Sequence, residues 1–229
     1  MLKVPVYTEQ KQRTKPFWAC DFLNQTSGQQ APFTSVLIAS GTLNAPNTLT
    51  SQHPGVIRFR SSTTTNSGAL IGTNSAQLIL GGGEEFNAIF QLDTLALSTY
   101  RLGFHDSVDS TDAVDGCYLE IASTGVATGK TASNSTRSST GTTTTLVTAT
   151  WYRLRIVLNP AASRVDFYIY NDAGTLVWSD NLTTNIPPAT VARVTAAVVN
   201  ATNSGTTALD LMHLDYMSIK FGALVRGGA

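Results

Sequence analysis

Along most of the chain apolar and polar residues alternate one for one, and they seldom recur at every third or fourth position. The clearest case is TWYRLRIVLNP, where Tyr152, Leu154, Ile156 and Leu158 fall on one face and Trp151, Arg153, Arg155 and Asn159 on the other. Successive side chains of a strand point to opposite faces, so the first set is predicted to turn inward and the second toward water. Pro160 lacks the amide proton a ladder needs and ends the strand. RVDFYIY repeats the pattern, with Val165, Phe167 and Ile169 against Asp166, Tyr168 and Tyr170, and NDAG supplies a turn into TLVW. These segments are predicted to be antiparallel neighbours.

Further strands are predicted over 35–39, 56–60, 77–80, 85–93, 99–105, 116–122, 144–148, 191–199 and 211–221. Many short strands without helical periodicity predict an all-β protein of two packed sheets. Residues 123–150 hold sixteen Ser or Thr in twenty-eight positions. Most of this stretch is read as β, because Thr suits a pleated, half-wet surface, and ATGKTASNS has the look of an exposed strand between turns.

At 229 residues the chain can bury a full core, and one main domain is expected. Lys plus Arg and Asp plus Glu number 15 each, and charged residues make up only 13 %. That balance supplies no field to collect polyanions, so nucleic acid is excluded as an expected partner. Cys20 and Cys117 show neither disulfide-framework nor metal spacing. The opening MLKVPVYTEQKQRTKPFW lacks the apolar run of a signal peptide, and no stretch of about 18 apolar residues exists to span a bilayer. The expectation is a soluble product made in a host cytoplasm, without a membrane partner. Residues 1–16 carry too little patterned apolar surface for a core of their own. They are predicted to form an extended arm, with Val4, Pro5, Val6 and Tyr7 as its partner-binding residues. The sandwich is then expected over 17–222, followed by a tail at 223–229.

The succession EEFNAIFQLD, YRLGFHDS, DGCYLEIAS, TATWYRLRIVLN, RVDFYIYNDAGTLVW and LDYMSIKF resembles the concanavalin A-like (laminin G-like) jelly-roll structural proteins of tailed bacteriophages, over roughly residues 30–221. The resemblance implies an antiparallel jelly-roll sandwich and a non-enzymatic virion protein. Its leading form is a capsid decoration or cement protein that binds the major capsid protein through arm and sandwich surface. The alternative is a glycan-binding adhesin on a tail fibre or capsid surface. A homo-oligomer, possible as a trimer, is implied by the family alone.

Candidate chemistry is sparse. Related glucanases use E-x-D-x-x-E, but the Glu residues here are Glu9, Glu84, Glu85 and Glu120, and adjacent Glu84 and Glu85 point to opposite faces of a strand. No enzyme is expected. Asp106, Asp109, Asp112 and Asp115 recur at every third position in HDSVDSTDAVDG. Such carboxylates are either a calcium loop or a solvated turn; the pattern departs from D-x-D-x-D-G, which favours the turn and leaves calcium as the one cofactor in play. His53, His105 and His213 are isolated and are expected at surfaces or strand ends. Three consecutive glycines in LILGGGEEF lack the lysine of a phosphate loop and predict a turn or bulge. Trp151 and Trp178 are expected to pack across strands or into the core. Tyr168 and Tyr170, on the polar face with Arg164 and Asp166, are the first candidates for glycan or subunit contact.

Overall fold

The computed structural model describes residues 17–22, 33–45, 53, 55–73, 78–189 and 194–222. Among these residues every regular element is a strand, and no helix is long and apolar enough to cross a membrane. In chain order the strands are β1 (Phe17–Asp21), β2 (Phe33–Ile38), β3 (Thr42–Asn44), β4 (Ile57–Arg60), β5 (Ser67–Thr73) and β6 (Leu78–Ile79). Next come β7 (Glu85–Leu92), β8 (Ser98–His105), β9 (Gly116–Ile121), β10 (Val126–Ser133), β11 (Thr136–Ser139) and β12 (Thr144–Thr145). The last are β13 (Trp151–Leu158), β14 (Val165–Asn171), β15 (Leu176–Leu182), β16 (Val194–Asn203) and β17 (Asp210–Lys220).

The first sheet runs β15-β14-β13-β7-β17-β4-β3, with β1 also paired to β17. The second runs β11-β10-β9-β8-β16-β5-β2, with β12 on β10 and β6 on β16. Neighbours are antiparallel throughout, and the two sheets pack as a jelly-roll sandwich.

Period-two patterning places the core as expected. Tyr152, Leu154, Ile156 and Leu158 of β13, Phe86, Ala88, Phe90 and Leu92 of β7, and Val165, Phe167 and Ile169 of β14 are all buried in one continuous cluster. Across the sandwich Phe86 of β7 meets Phe104 of β8 edge to face, with centroids 5.9 Å apart at 70°. That aromatic geometry adds to the apolar area each ring removes from water. Gly129 of β10 lies so close to the Phe167 ring that a Cβ there would come within 2.8 Å of it.

Four strands escape the alternation pattern. β1, β3 and β11 are short, and β5 (SGALIGT) is buried along its whole length, so neither of its faces reads as polar. The strand predicted over 144–148 contracts to β12, two residues long, while Leu146 inserts into the core. The strand predicted over 191–199 appears as β16 and continues to Asn203. Cys20 and Cys117 are buried and unbridged. The predicted arm, including Val4, Pro5, Val6 and Tyr7, and the tail at 223–229 lie outside the described residues.

Candidate functional site

The outer face of the first sheet is built from positions that alternate with the core residues. Directly opposed residues of antiparallel strands share a face, so the registers can be read as rows. One row crosses four strands as Tyr170, Arg153, Ile89 and Tyr216. The next runs Tyr168, Arg155, Asn87 and Ser218. A third, one step the other way, runs Trp151, Gln91 and His213. At a strand spacing of about 4.8 Å, Tyr170 and Tyr216 stand about 14 Å apart with Arg153 and Ile89 between them. The first two rows, Tyr168 apart, form the floor of an open depression of ≈ 490 Å³, bordered by the β14–β15 turn at Gly174.

That turn is set locally. The Asn171 side-chain carbonyl accepts from the Thr175 amide at 2.9 Å, and Gly174 takes φ +79°, a conformation that favours glycine. A bulge between Ile169 and Tyr170 accompanies the turn at the end of β14.

Within the depression the charges are unequally matched. Arg155 donates to both oxygens of Glu85, at 3.0 and 3.2 Å, and Lys220 approaches the same carboxylate at 3.9 Å. Burial alone would raise the Glu85 carboxyl; the hydrogen bonds from Arg155 and Asn87 and the charges of Arg155 and Lys220 outweigh it and hold the group below the usual carboxylate range. Arg155 also lies over the Tyr168 ring, 5.7 Å from its centroid, and Tyr168 stacks beside Tyr170 at 6.4 Å. Arg153, by contrast, is exposed and donates to the main-chain oxygen of Asp172 at 3.4 Å. The described residues that line the depression include no Asp or Glu.

The four aspartates do not converge. Asp109 accepts from the amide and hydroxyl of Thr111, Asp106 from the Val114 amide and Asp115 from the Asn134 amide. Asp112 turns onto the second sheet, where Arg101, Lys130 and Arg137 lie at 3.2, 3.4 and 3.1 Å and the Tyr118 hydroxyl donates at 2.6 Å. Among the described residues no three acidic, His or Cys side chains are placed to hold a metal ion. Each of the four carboxylates is engaged by a protein amide, hydroxyl or cation, and the segment is a hydrogen-bonded turn.

The histidine expectation also changes. His105 ends β8 but is fully buried, and burial lowers its pKa to about 4. His53 is buried as well: its ring stacks on Trp151 at 3.8 Å and its Nδ1 lies 2.8 Å from Asp215. Trp151 thus packs across strands as expected, and Trp178 is buried in the core with its indole N–H donating to Thr142. Glu84 turns away from Glu85 to accept the amides of Gly81 and Gly82 at 2.9 and 2.8 Å, which fixes the glycine turn.

Tyr168 and Tyr170 do stand on the outer face. Sequence reasoning passed over Arg153, Ile89 and Tyr216, which complete the row. The only signal for them was their outward parity, and parity does not say which strands are neighbours.

A family model for the SO2946-like C-terminal domain matches residues 52–215, and the chain belongs to that family. The crystal structure of SO2946 from Shewanella oneidensis MR-1, a protein of unknown function, superposes with TM-score 0.75 at 21 % identity, covering 94 % of this chain and 91 % of that one. The CBM2 module of the evolved Dit of Lactobacillus casei BL23 phage J-1 gives 0.58 at 11 % identity, covering 91 % and 97 %. Peanut lectin gives 0.57 at 10 % identity, covering 90 % and 96 %. No curated protein matches the chain. These likenesses establish a lectin-like jelly-roll fold.

Proposed function

We propose that this member of the SO2946-like family is a non-catalytic glycan-binding module, carried on a bacteriophage particle, that holds a saccharide across the outer face of its first sheet. The observation that carries the reading is the row Tyr170, Arg153, Ile89 and Tyr216. Two tyrosine rings flank a floor with an apolar patch and a guanidinium, and half-buried Asn87 beside it offers an amide to sugar hydroxyls. Aromatic faces that stack on apolar ring surfaces, with a few polar groups to fix orientation, are what a saccharide site requires.

Support from outside the chain is of two kinds. One fold neighbour is a carbohydrate-binding module of a phage protein, and another is a lectin. Hydrolysis is disfavoured by the chemistry, since glycosidases use two carboxyl groups roughly 5–9.5 Å apart across the bond. Here the described lining residues include no carboxylate, and Glu85 at its border is tied to Arg155 and Lys220.

A glycan array probed with the full chain, followed by calorimetry on the best ligand, tests the reading. Tyr170→Ala and Tyr216→Ala are expected to weaken binding about tenfold or more each while leaving the melting temperature in place. Failure to bind any saccharide on the array would overturn it. The capsid-decoration role, with the major capsid protein as partner, rests on the family resemblance and on residues 1–16; it predicts that deleting those residues abolishes incorporation into particles. Glycan binding by the outer face predicts that the same deletion leaves saccharide affinity unchanged.

A further inference from the structure

We infer that the depression on the first sheet selects an acidic saccharide, with Arg153 pairing to a carboxylate on the sugar; this deepens the glycan-binding reading and depends on it. The argument begins from charge matching. Arginines on the outer faces of this protein are generally matched by acids: Arg58 with Asp210, Arg101 with Asp112 and Glu120, Arg155 with Glu85, Arg164 with Asp166. Among the described residues Arg153 has no carboxylate within ion-pair distance, and its one side-chain hydrogen bond there is to a main-chain oxygen at 3.4 Å. It sits at the centre of the depression, exposed, one strand from Tyr170 and two from Tyr216.

The neighbourhood reinforces this. Arg153, Arg155 and Lys220 stand near two acids, Glu85, which takes the latter two, and Asp172, whose carboxylate lies 3.8 Å from His53, so this part of the face keeps an excess of positive charge although the whole chain is neutral. Arg155 cannot serve a ligand without giving up a bidentate pair, whereas Arg153 gives up one long contact. A guanidinium presents a planar fork of donors that fits a carboxylate through two parallel hydrogen bonds. With tyrosine rings on either side, the matching ligand is a pyranose chain whose units carry carboxyl groups, of the uronate or sialate class.

The test compares saccharides on one array: neutral oligosaccharides, uronate-bearing oligosaccharides and sialylated ones, probed with the full chain, with Arg153→Gln and with Tyr170→Ala. Acidic saccharides should bind the native chain at least tenfold more tightly than neutral ones of the same length, with affinity falling as salt rises. Arg153→Gln should lose that preference, at least tenfold on acidic ligands and less than twofold on neutral ones. Tyr170→Ala should weaken both. Equal or stronger binding of neutral sugars, with Arg153→Gln silent, would overturn this inference and leave glycan binding standing. Binding of nothing on the array would remove both.

Discussion

Each sheet carries an arginine in mid-strand on its outer face, and the two meet different fates. On the second sheet Arg101 is buried and ion-paired to Asp112 and Glu120, while Lys130 and Arg137 close the same cluster. Residues 106–115 cross over that face, anchored where Asn200 donates to the Asp109 main-chain oxygen at 2.7 Å and where Ala113 is fully buried. On the first sheet no such segment covers the middle strands among the described residues, and Arg153 faces an open depression. One face has matched its charges with its own loop and become structure. The other keeps a guanidinium and tyrosine rings turned outward, and this is why the proposed binding site lies there.

Breaking the sealed cluster is expected to give the largest effect on stability. Asp112→Ala removes the acceptor of Tyr118 and a partner of three cations. Burial would raise the Asp112 carboxyl, but the Tyr118 hydrogen bond and the charges of Lys130, Arg101 and Arg137 hold it below its ordinary value, so the folded state favours the ionised form. The variant leaves the Tyr118 hydroxyl and Arg137 without their carboxylate while Arg101 and Lys130 keep Glu120, and a loss of about 3 kcal/mol is expected in urea unfolding. Arg153→Gln on the open face should change stability by less than about 0.5 kcal/mol. Equal losses for the two variants would show that the faces do not differ in the way described.

The same contrast explains what the sequence made legible. Alternation in β7, β13 and β14 was plain because each strand has one dry and one wet face, so the sandwich and the outward placement of Tyr168 and Tyr170 followed from parity. β5 was hidden because both its faces are covered, and Gly68 and Gly72 leave room only for close backbone approach. The row containing Arg153 and Tyr216 could not be read, since β13 and β17 are brought together only through β7. Regular spacing carried little information at the aspartates. A three-residue repeat in a turn says nothing about where the carboxylates point, and each found a different local donor.

Acid sharpens the comparison further. His105, beneath the second sheet's charge cluster, contacts the Tyr118 ring edge at 5.5 Å and has its pKa lowered to about 4 by burial. Its folded value lies below the ordinary 6.5, so the unfolded chain binds the proton more readily between pH 6.5 and 4. The stability this neutral imidazole supports is complete above pH 6.5 and is lost as pH falls, by up to about 3 kcal/mol at pH 4. Measured unfolding free energies from pH 7 to 4 should therefore fall less steeply for His105→Leu than for the native chain. Parallel curves would remove the titration of His105 as the cause.

The first sheet holds a group that titrates over an overlapping range with the opposite sign. Asp93, just past β7, is pushed up to about 6 by burial and by the charge of Asp210, with Arg58 partly opposing. One of its oxygens lies 3.4 Å from His213 Nδ1, and the other is buried without a hydrogen-bond partner among the described residues. Because its folded pKa exceeds the ordinary 3.8, the folded chain binds the proton more tightly, and stability declines as pH rises from about 4 to 6. Asp93→Asn keeps the shape and removes the ionisation. It should leave stability unchanged near pH 3.5 and raise it at pH 7, by about 1 kcal/mol once solvent screening at this half-buried position is allowed for. A variant less stable than the native chain at pH 7 would mean that the charged Asp93 is held by His213 rather than tolerated. In that case this end of the first sheet would be as closely matched as the second, and the openness of its face would be confined to the tyrosine rows.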